Sequence, residues 1–212
     1  MVNKLENPPH DMFDVVIIGG AMIGSSVAWF LSHNDDFDGR ILVVERDPTY
    51  EKSSTAHTNS CMRQQFSSEL NIRISQFAAD FVRDFRDYMG GDPAVPDLHV
   101  HHFGYMYLAD NETFASRLKQ SHAIQAGCGA GTRLMSPGEI SAAYPFYQLD
   151  DIVLGSHNIV DEGYFDGATM FDWWRRKARQ KNVCYIANEV VGIGIDAGRV
   201  TYITLASGSV IR

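Results

Sequence analysis

The stretch Asp14-Val15-Val16-Ile17-Ile18-Gly19-Gly20-Ala21-Met22-Ile23-Gly24 decides the fold. Val15 to Ile18 are four β-branched apolar residues in a row, which is how a strand buried on both faces of a parallel sheet reads. Glycines follow at once, then a helical stretch from about Met22 to Ser32. A second buried run, Ile41 to Val44, comes after it. Strand, helix and strand within about 35 residues make a βαβ unit, normally right-handed and parallel.

The glycines carry the chemistry. A pyrophosphate must approach backbone N–H groups at a helix N-terminus, where the helix dipole is positive. A misplaced Cβ blocks that approach, so glycines cluster there. Gly19 makes the tight turn in this reading, and Gly24 lets the helix pack closely on the strand. Gly20, Met22 and Ile23 complete the loop and the first helical turn. Ala21 stands where the second glycine is usual, nearest the pyrophosphate, a departure of one methyl group that weakens the contact without abolishing it. The confirming context is Glu45, which ends the second strand 21 residues after Gly24. An acid there accepts hydrogen bonds from ribose hydroxyls and disfavours a 2′-phosphate. The fingerprint by itself does not separate FAD from NAD.

Composition narrows the class. With 212 residues and 45% hydrophobic content the chain can fill a core, either as one large domain or as two small ones. A net charge of −8 argues against a nucleic-acid footprint. Cys61, Cys128 and Cys184 share no CxxC spacing, and an odd count is a poor disulfide framework; reduced thiols are expected. No Cys/His cluster has zinc-ligand spacing, so no metal is expected. The N-terminus has no signal-peptide core, and no apolar run approaches the ~20 residues that span a bilayer. The expectation is a soluble cytoplasmic protein with no nucleic-acid partner and no membrane span.

Along the chain, residues 1–12 read as a disordered lead-in and 51–65 as a polar loop. From Ser68 the pattern is helical, with Leu70, Ile74, Phe77, Phe81, Phe85 and Tyr88 as one apolar face. Gly90 and Gly91 stop that helix, and Pro93 and Pro96 prevent its renewal. A strand over 102–109 and a helix over 112–126 follow. Gly127 to Gly131 reads as a structural turn, not a second phosphate loop, since no strand precedes it. Ser136, Pro137 and Glu139 match a capping box. Residues 152–159 suggest a strand. A helix over 166–181 would bury Phe171, Trp174 and Ala178, with the basic remainder a solvated face. Short strands over 183–186, 189–195, 199–205 and 210–211 close the chain.

Family resemblance decides the cofactor. The chain resembles the D-amino-acid oxidase superfamily, of which glycine oxidase, sarcosine oxidase and dimethylglycine dehydrogenase are typical. It is similar above all to the branch of FAD-dependent oxidoreductase domain-containing proteins. The resemblance rests on DVVIIGGAMIGSSVAWFL, VVERDP (which includes Arg46), SSTAHTNSCMRQQFSSELNIRIS, FGYMYLA, LMSPGEISAAYPF, DIVLGSHNIVDEGYFDGATM and EVVGIGIDAGRVTYITLASGSVI. It implies FAD as cofactor, with Arg46 beside Glu45 at the nucleotide and Ser53, Ser54 and Thr55 along the pyrophosphate and ribityl path. It implies Arg63 and Gln64 near the isoalloxazine ring, where a cation favours negative charge on the ring. Val190 and Val191 would touch the adenine through their backbone, and Asp166-Gly167 would be the turn where the chain re-enters the FAD domain. His57 in Ser54-Thr55-Ala56-His57 stands where some relatives carry a histidine bonded covalently to the flavin. The tryptophan of their motif is missing here, so a covalent link, a polar neighbour of the flavin and an uninvolved loop residue all stay open.

The expected fold is α/β: an FAD-binding Rossmann-like domain over 10–96 and 166–212, with an inserted mixed or antiparallel-sheet substrate domain over 97–165, truncated at its C-terminus. The expected chemistry is oxidation of the C–N bond of a small amine or amino acid by hydride transfer to flavin, with oxygen or an electron-transfer protein as acceptor. The cofactor carries the hard step and the protein orients the substrate. Tyr105 and Tyr107 fit core positions better than substrate-facing ones. In the family a further stretch of sequence completes the substrate sheet, so these residues alone are expected to bind FAD weakly and not to turn over an amine. An NAD-dependent dehydrogenase and a non-catalytic flavin-binding or assembly protein, or truncated remnant, are the alternatives.

Overall fold

The computed structural model describes residues 5–212. They form two compact units: residues up to Thr58 together with Gly167–Arg212, and Asn59–Asp166.

In the first unit, strands β1 (Val15–Ile18) and β2 (Ile41–Glu45) run parallel, with Val15 opposite Ile41 and Ile18 opposite Val44. Strand β8 (Cys184–Ala187) adds in parallel on the far side of β2. The central strand reads Ile-Leu-Val-Val because both its faces are covered. Helix α1 (Met22–Ser32) connects β1 to β2 and packs on helix α6 (Gly167–Gln180). Phe171, Trp174 and Ala178 are buried on α6, as its periodicity predicts. The other face of β2 gives Leu42 and Val44 to a cluster with Ile186, Ile203, Leu205 and Ile211. The last three come from a meander of β9 (Val190–Asp196), β10 (Arg199–Leu205) and β11 (Val210–Ile211). Each such side chain contributes about 1.5–3 kcal/mol by leaving water. The β9–β10 turn places Ala197 at φ 47° and Gly198 at φ 78°. Two left-handed residues in sequence match the twist that a tight hairpin needs.

In the second unit, β4 (Tyr105–Ala109) pairs antiparallel with β6 (Leu154–Asn158), which pairs on its other side with β5 (Arg133–Met135). A short ladder joins β3 (Cys61–Met62) to β7 (Gly163–Tyr164). The helices are α2 (Glu69–Arg83), α3 (Phe85–Tyr88), α4 (Glu112–Gly127) and α5 (Pro137–Ala143). The capping box at α5 is formed: the Glu139 N–H donates to the Ser136 hydroxyl, and the Ser136 N–H donates to the Glu139 carboxylate. Gly127 to Gly131 is the end of α4 and the connection to β5, with Gly129 at φ 75°.

Three expectations are corrected. The apolar face expected from Leu70 to Tyr88 is buried only at Phe81 and Phe85: Leu70, Ile74, Phe77 and Tyr88 are exposed, whereas Ile72, Ala79 and Val82 are buried. Periodicity detects apolar residues at one azimuth, and α2 has them at two. The helix also breaks at Asp84, and Phe81 is covered by stacking on Tyr88 at 4.4 Å. The lead-in is pinned where described. The Glu6 N–H donates to the Ala187 carbonyl at 2.9 Å, the Ala187 N–H returns to the Glu6 carboxylate, and Phe13 bonds the Arg212 carbonyl. Its first four residues lie outside the described residues. The 51–65 stretch is not all loop, because β3 falls within it; two residues are too few to show a period.

Among the described residues no helix is long and apolar enough to cross a membrane, and no group of His, Cys, Asp and Glu could hold a metal ion.

Candidate functional site

The first unit brings the glycine loop and the acid of β2 together. Gly19 lies at φ 94°, a region costly for a side-chain-bearing residue, and its N–H donates to the Val44 carbonyl at 2.9 Å. Gly20 donates its N–H to Glu45 Oε2 at 2.8 Å, and the Asp47 N–H donates to Glu45 Oε1 at 2.8 Å. A carboxylate accepts about four hydrogen bonds, so both oxygens keep acceptor capacity, and Glu45 lines a cleft. Gly20 is also sterically fixed: a Cβ there would lie 3.0 Å from Val43 and 3.2 Å from the Tyr50 hydroxyl. Gly24 is fixed more tightly still, because a Cβ on it would penetrate the Gly19 carbonyl. Helix α1 therefore starts pressed against the turn, with Ala21 as its N-cap residue. The Ser25 hydroxyl donates to the Gly20 carbonyl at 2.6 Å and holds the loop from below.

Two clefts meet at this loop. One, of about 390 Å³, is lined by Ile18, Gly19, Glu45, Arg46, Asp47, Tyr50, Lys52, Ser53, Asn188, Glu189 and Val190. The other, of about 570 Å³, is lined by Ile17 to Gly19, Ala21 to Gly24, Val27, Ser54, Thr55 and Thr58. Ile18 and Gly19 belong to both. A Cβ on Gly19 would meet no atom within 4 Å, so glycine there also keeps the shared floor clear. Thr55 reaches the loop: its hydroxyl accepts the Met22 N–H at 3.1 Å, one of the amides that a helix start leaves without an intrahelical partner. Ser53 donates its hydroxyl to the Tyr50 carbonyl at 2.7 Å, closing a turn that carries Tyr50 at φ 58°.

Around the first cleft the side chains are graded from dry to wet. Tyr50 is buried, edge-on to Phe171 at 4.9 Å and beneath the Arg175 guanidinium at 4.7 Å. Burial pushes its phenol up, and also that of Tyr185. Arg46 sits at the rim, 4.0 Å from Glu189, with side chains 75% and 53% exposed. Such a pair is screened by water and weak. Val190 is half-buried and lines the cleft, while Val191 is exposed. His57 is exposed and lines neither cleft.

Tyr50, Lys52 and Asn188 were not singled out in the sequence. Asn188 donates its N–H to the Glu45 carbonyl at 3.0 Å and its amide to the Glu6 carbonyl at 2.7 Å. Only the position of Tyr50, five residues after the acid, offers a signal, and it is a weak one.

The second unit holds Arg63 and Gln64. The Arg63 guanidinium lies over the rings of Phe66 at 4.9 Å and Tyr105 at 5.9 Å. It makes no ion pair among the described residues, and its buried Nε has no hydrogen-bond partner. Gln64 is buried, and its N–H donates to Glu162 Oε1 at 2.7 Å. Burial, then contact with Cys61, pushes the Tyr105 phenol up to about 12, so it stays neutral. Tyr105 and Tyr107 are both half-buried strand residues.

The family model described as FAD dependent oxidoreductase matches residues 14–212. The chain belongs to this family. FAD is therefore its cofactor, and the NAD alternative falls away. Among curated relatives it is 34% identical over 186 residues to FAD-dependent oxidoreductase domain-containing protein 1 of Xenopus laevis, covering 86% of this chain and 37% of that protein. It thus spans little more than a third of that relative's length. Among solved structures, L-proline dehydrogenase from P. horikoshii superposes with a TM-score of 0.75 at 21% identity, over 95% of this chain and 51% of that one. Glycine oxidase from Geobacillus kaustophilus gives 0.71 at 16% identity, over 95% and 53%. At these identities the structural likeness is one of fold: α/β, with the FAD-binding sheet and a second, antiparallel sheet.

The residues present fit the ADP half of FAD. A glycine-floored groove, a helix start and an acceptor carboxylate are what a pyrophosphate and a ribose require.

Proposed function

We propose that the first unit holds the ADP half of FAD for an enzyme that oxidises the C–N bond of a small amine or amino acid. The single observation behind the binding mode is the Gly20–Glu45 hydrogen bond, which fixes the acid beside the glycine floor. Glu45 takes the ribose hydroxyls on its remaining acceptor sites. Gly19, Gly20 and Ala21, with the first-turn amides of Met22 and Ile23, face the pyrophosphate, and Gly24 lets the helix come close enough for that. Arg46 is the rim cation, and Val190 and Val191 border the adenine. Ser53, Ser54 and Thr55 continue the path toward the flavin, with His57 as an exposed neighbour.

Bound FAD supplies a hydride acceptor. Arg63 and Gln64 are assigned to the flavin ring by family resemblance, Arg63 as an uncompensated positive charge that favours negative charge on the ring. Nothing in either unit is nominated as a general base, and none is needed if the amine binds neutral.

The amine-oxidising reading draws support from relatives whose names state such activities, glycine oxidase and L-proline dehydrogenase. Its test uses the protein purified from its native source and loaded with FAD. Under anaerobic conditions a panel of N-methyl, D- and L-amino acids is added and the visible flavin absorbance followed. Bleaching by at least one is expected. Bleaching by dithionite but by none of the amines would contradict the reading.

A further inference from the structure

The second unit contains a buried acid that the proposed chemistry does not use. Glu162 is fully buried between β6 and β7. Its carboxylate collects three N–H donors: the Gln64 backbone at 2.7 Å and the Asn158 amide at 3.0 Å on Oε1, and the Gln65 amide at 2.9 Å on Oε2. Two of the three come from the segment that carries Arg63.

The remaining bonds of that segment run the same way. Gln65 also donates to the Tyr105 carbonyl at 3.0 Å and accepts the Ser156 hydroxyl at 2.8 Å. The turn behind Glu162 is itself braced. Asn158 Oδ1 accepts the Val160 N–H at 2.8 Å, and Asp161, at φ 52°, is tied to Arg83 at 3.0 Å. A buried carboxylate with only neutral partners costs several kcal/mol unless its hydrogen bonds are well made. Apolar residues at positions 64, 65, 158 and 162 would hold the same strands without that cost. What they would not do is fix the backbone at Gln64 in one register against β6.

We propose that Glu162 is a positioning residue: its carboxylate clamps the Gln64–Gln65 backbone and amide, and so sets where the Arg63 guanidinium stands. Arg63 has no acid of its own among the described residues, and only Phe66 and Tyr105 touch its charged face. An arginine held by ring faces and a rigid neighbour keeps its charge for a ligand, whereas one paired to a carboxylate does not. Glu162 thus supplies order at Arg63 without supplying neutralisation. This rests on the reading that Arg63 stands near the flavin ring.

The test compares the full chain with Glu162→Gln, Gln65→Leu and Arg63→Gln, all loaded with FAD. Glu162→Gln keeps the size but turns an N–H toward donors. Backbone exchange over residues 60–66 is expected to rise at least tenfold. The affinity for reduced relative to oxidised FAD is expected to fall at least tenfold, about 30 mV in the two-electron potential. Total FAD retention should change less than threefold, because the ADP half is held elsewhere. Gln65→Leu removes one of the donors to Glu162, together with the bonds to the Tyr105 carbonyl and the Ser156 hydroxyl, and should shift both readouts in the same direction, so the proposal stays testable if Glu162→Gln fails to fold. Arg63→Gln should lower the potential without loosening the segment. An unchanged potential in Arg63→Gln sinks the placement of Arg63 and the proposal with it. A lowered potential in Arg63→Gln, with Glu162→Gln and Gln65→Leu indistinguishable from wild type, leaves that placement intact and overturns the clamp alone.

Discussion

The Gly20 N–H and the Glu45 carboxylate meet at 2.8 Å across 25 residues of sequence. One carboxylate therefore orders the turn that floors the groove and presents acceptors to whatever lies in it. Loss of the acid should cost on both counts. Glu45→Arg is expected to weaken FAD binding at least tenfold in a fluorescence titration. It should also lower the unfolding free energy by about 1–3 kcal/mol, since the Gly20 and Asp47 amides lose their acceptor. Unchanged FAD affinity would remove Glu45 from the site.

Gly24 is a steric requirement of the same turn. Gly24→Ala places a methyl group into the Gly19 carbonyl. The helix start must then move off the strand, at a cost of about 1–3 kcal/mol, as for other overpacked sites. A denaturant midpoint within error of wild type would show that the turn has slack the geometry does not reveal.

Ala21→Gly tests the opposite case. Ala21 is the N-cap of α1 and lines the second cleft. Removing its methyl group frees space in that cleft, and glycine is preferred to alanine at an N-cap. FAD affinity should stay within threefold or improve. A large loss would mean that the methyl group itself contacts the nucleotide.

Much of this was legible in advance, and the exceptions share a cause. β1, α1 and β2 are local: a β-branched run, a glycine turn and a second run state their own structure, and Glu45 follows from spacing. What stayed hidden depends on pairing between distant segments. Cys61-Met62 becomes a strand only because Gly163-Tyr164 lies opposite. Asn188 reaches the cleft only because β8 joins β2. Glu162 reads in sequence as one polar residue in a turn, and its burial depends on Gln64, 98 positions away. On α2 the periodicity was real, but Leu70, Ile74 and Phe77 remain exposed while Ile72, Ala79 and Val82 enter the core.

Glu162 should also leave a mark on the pH dependence of stability. Burial pushes its carboxyl above the ordinary value of 4.5, although hydrogen bonds from Gln65, Gln64 and Asn158 pull the other way. A carboxyl raised in the folded state stabilises the fold most below its unfolded value, and that contribution is lost as pH rises through the folded value. Wild type minus Glu162→Gln, measured as denaturant stability, should therefore decline as pH rises from about 4 and level off above the raised value. A difference that grows over that range would show that the hydrogen bonds outweigh burial.

The flavin link is expected to be noncovalent, because His57 is exposed and lines neither cleft. Acid precipitation should release all FAD to the supernatant. Fluorescence that stays with the denatured chain, and is lost in His57→Ala, would establish a bond instead.

If the glycine loop and Glu45 hold the ADP half of FAD, ligands that carry an adenylate must compete for one site. FAD, FMN and ADP are titrated into the chain by flavin fluorescence and by calorimetry. FAD is expected to bind, ADP to compete with it, and FMN, which lacks the adenylate, to bind at least tenfold more weakly. FMN binding as tightly as FAD, with ADP failing to compete, would place the affinity in the flavin end and remove the glycine loop and Glu45 from the binding site.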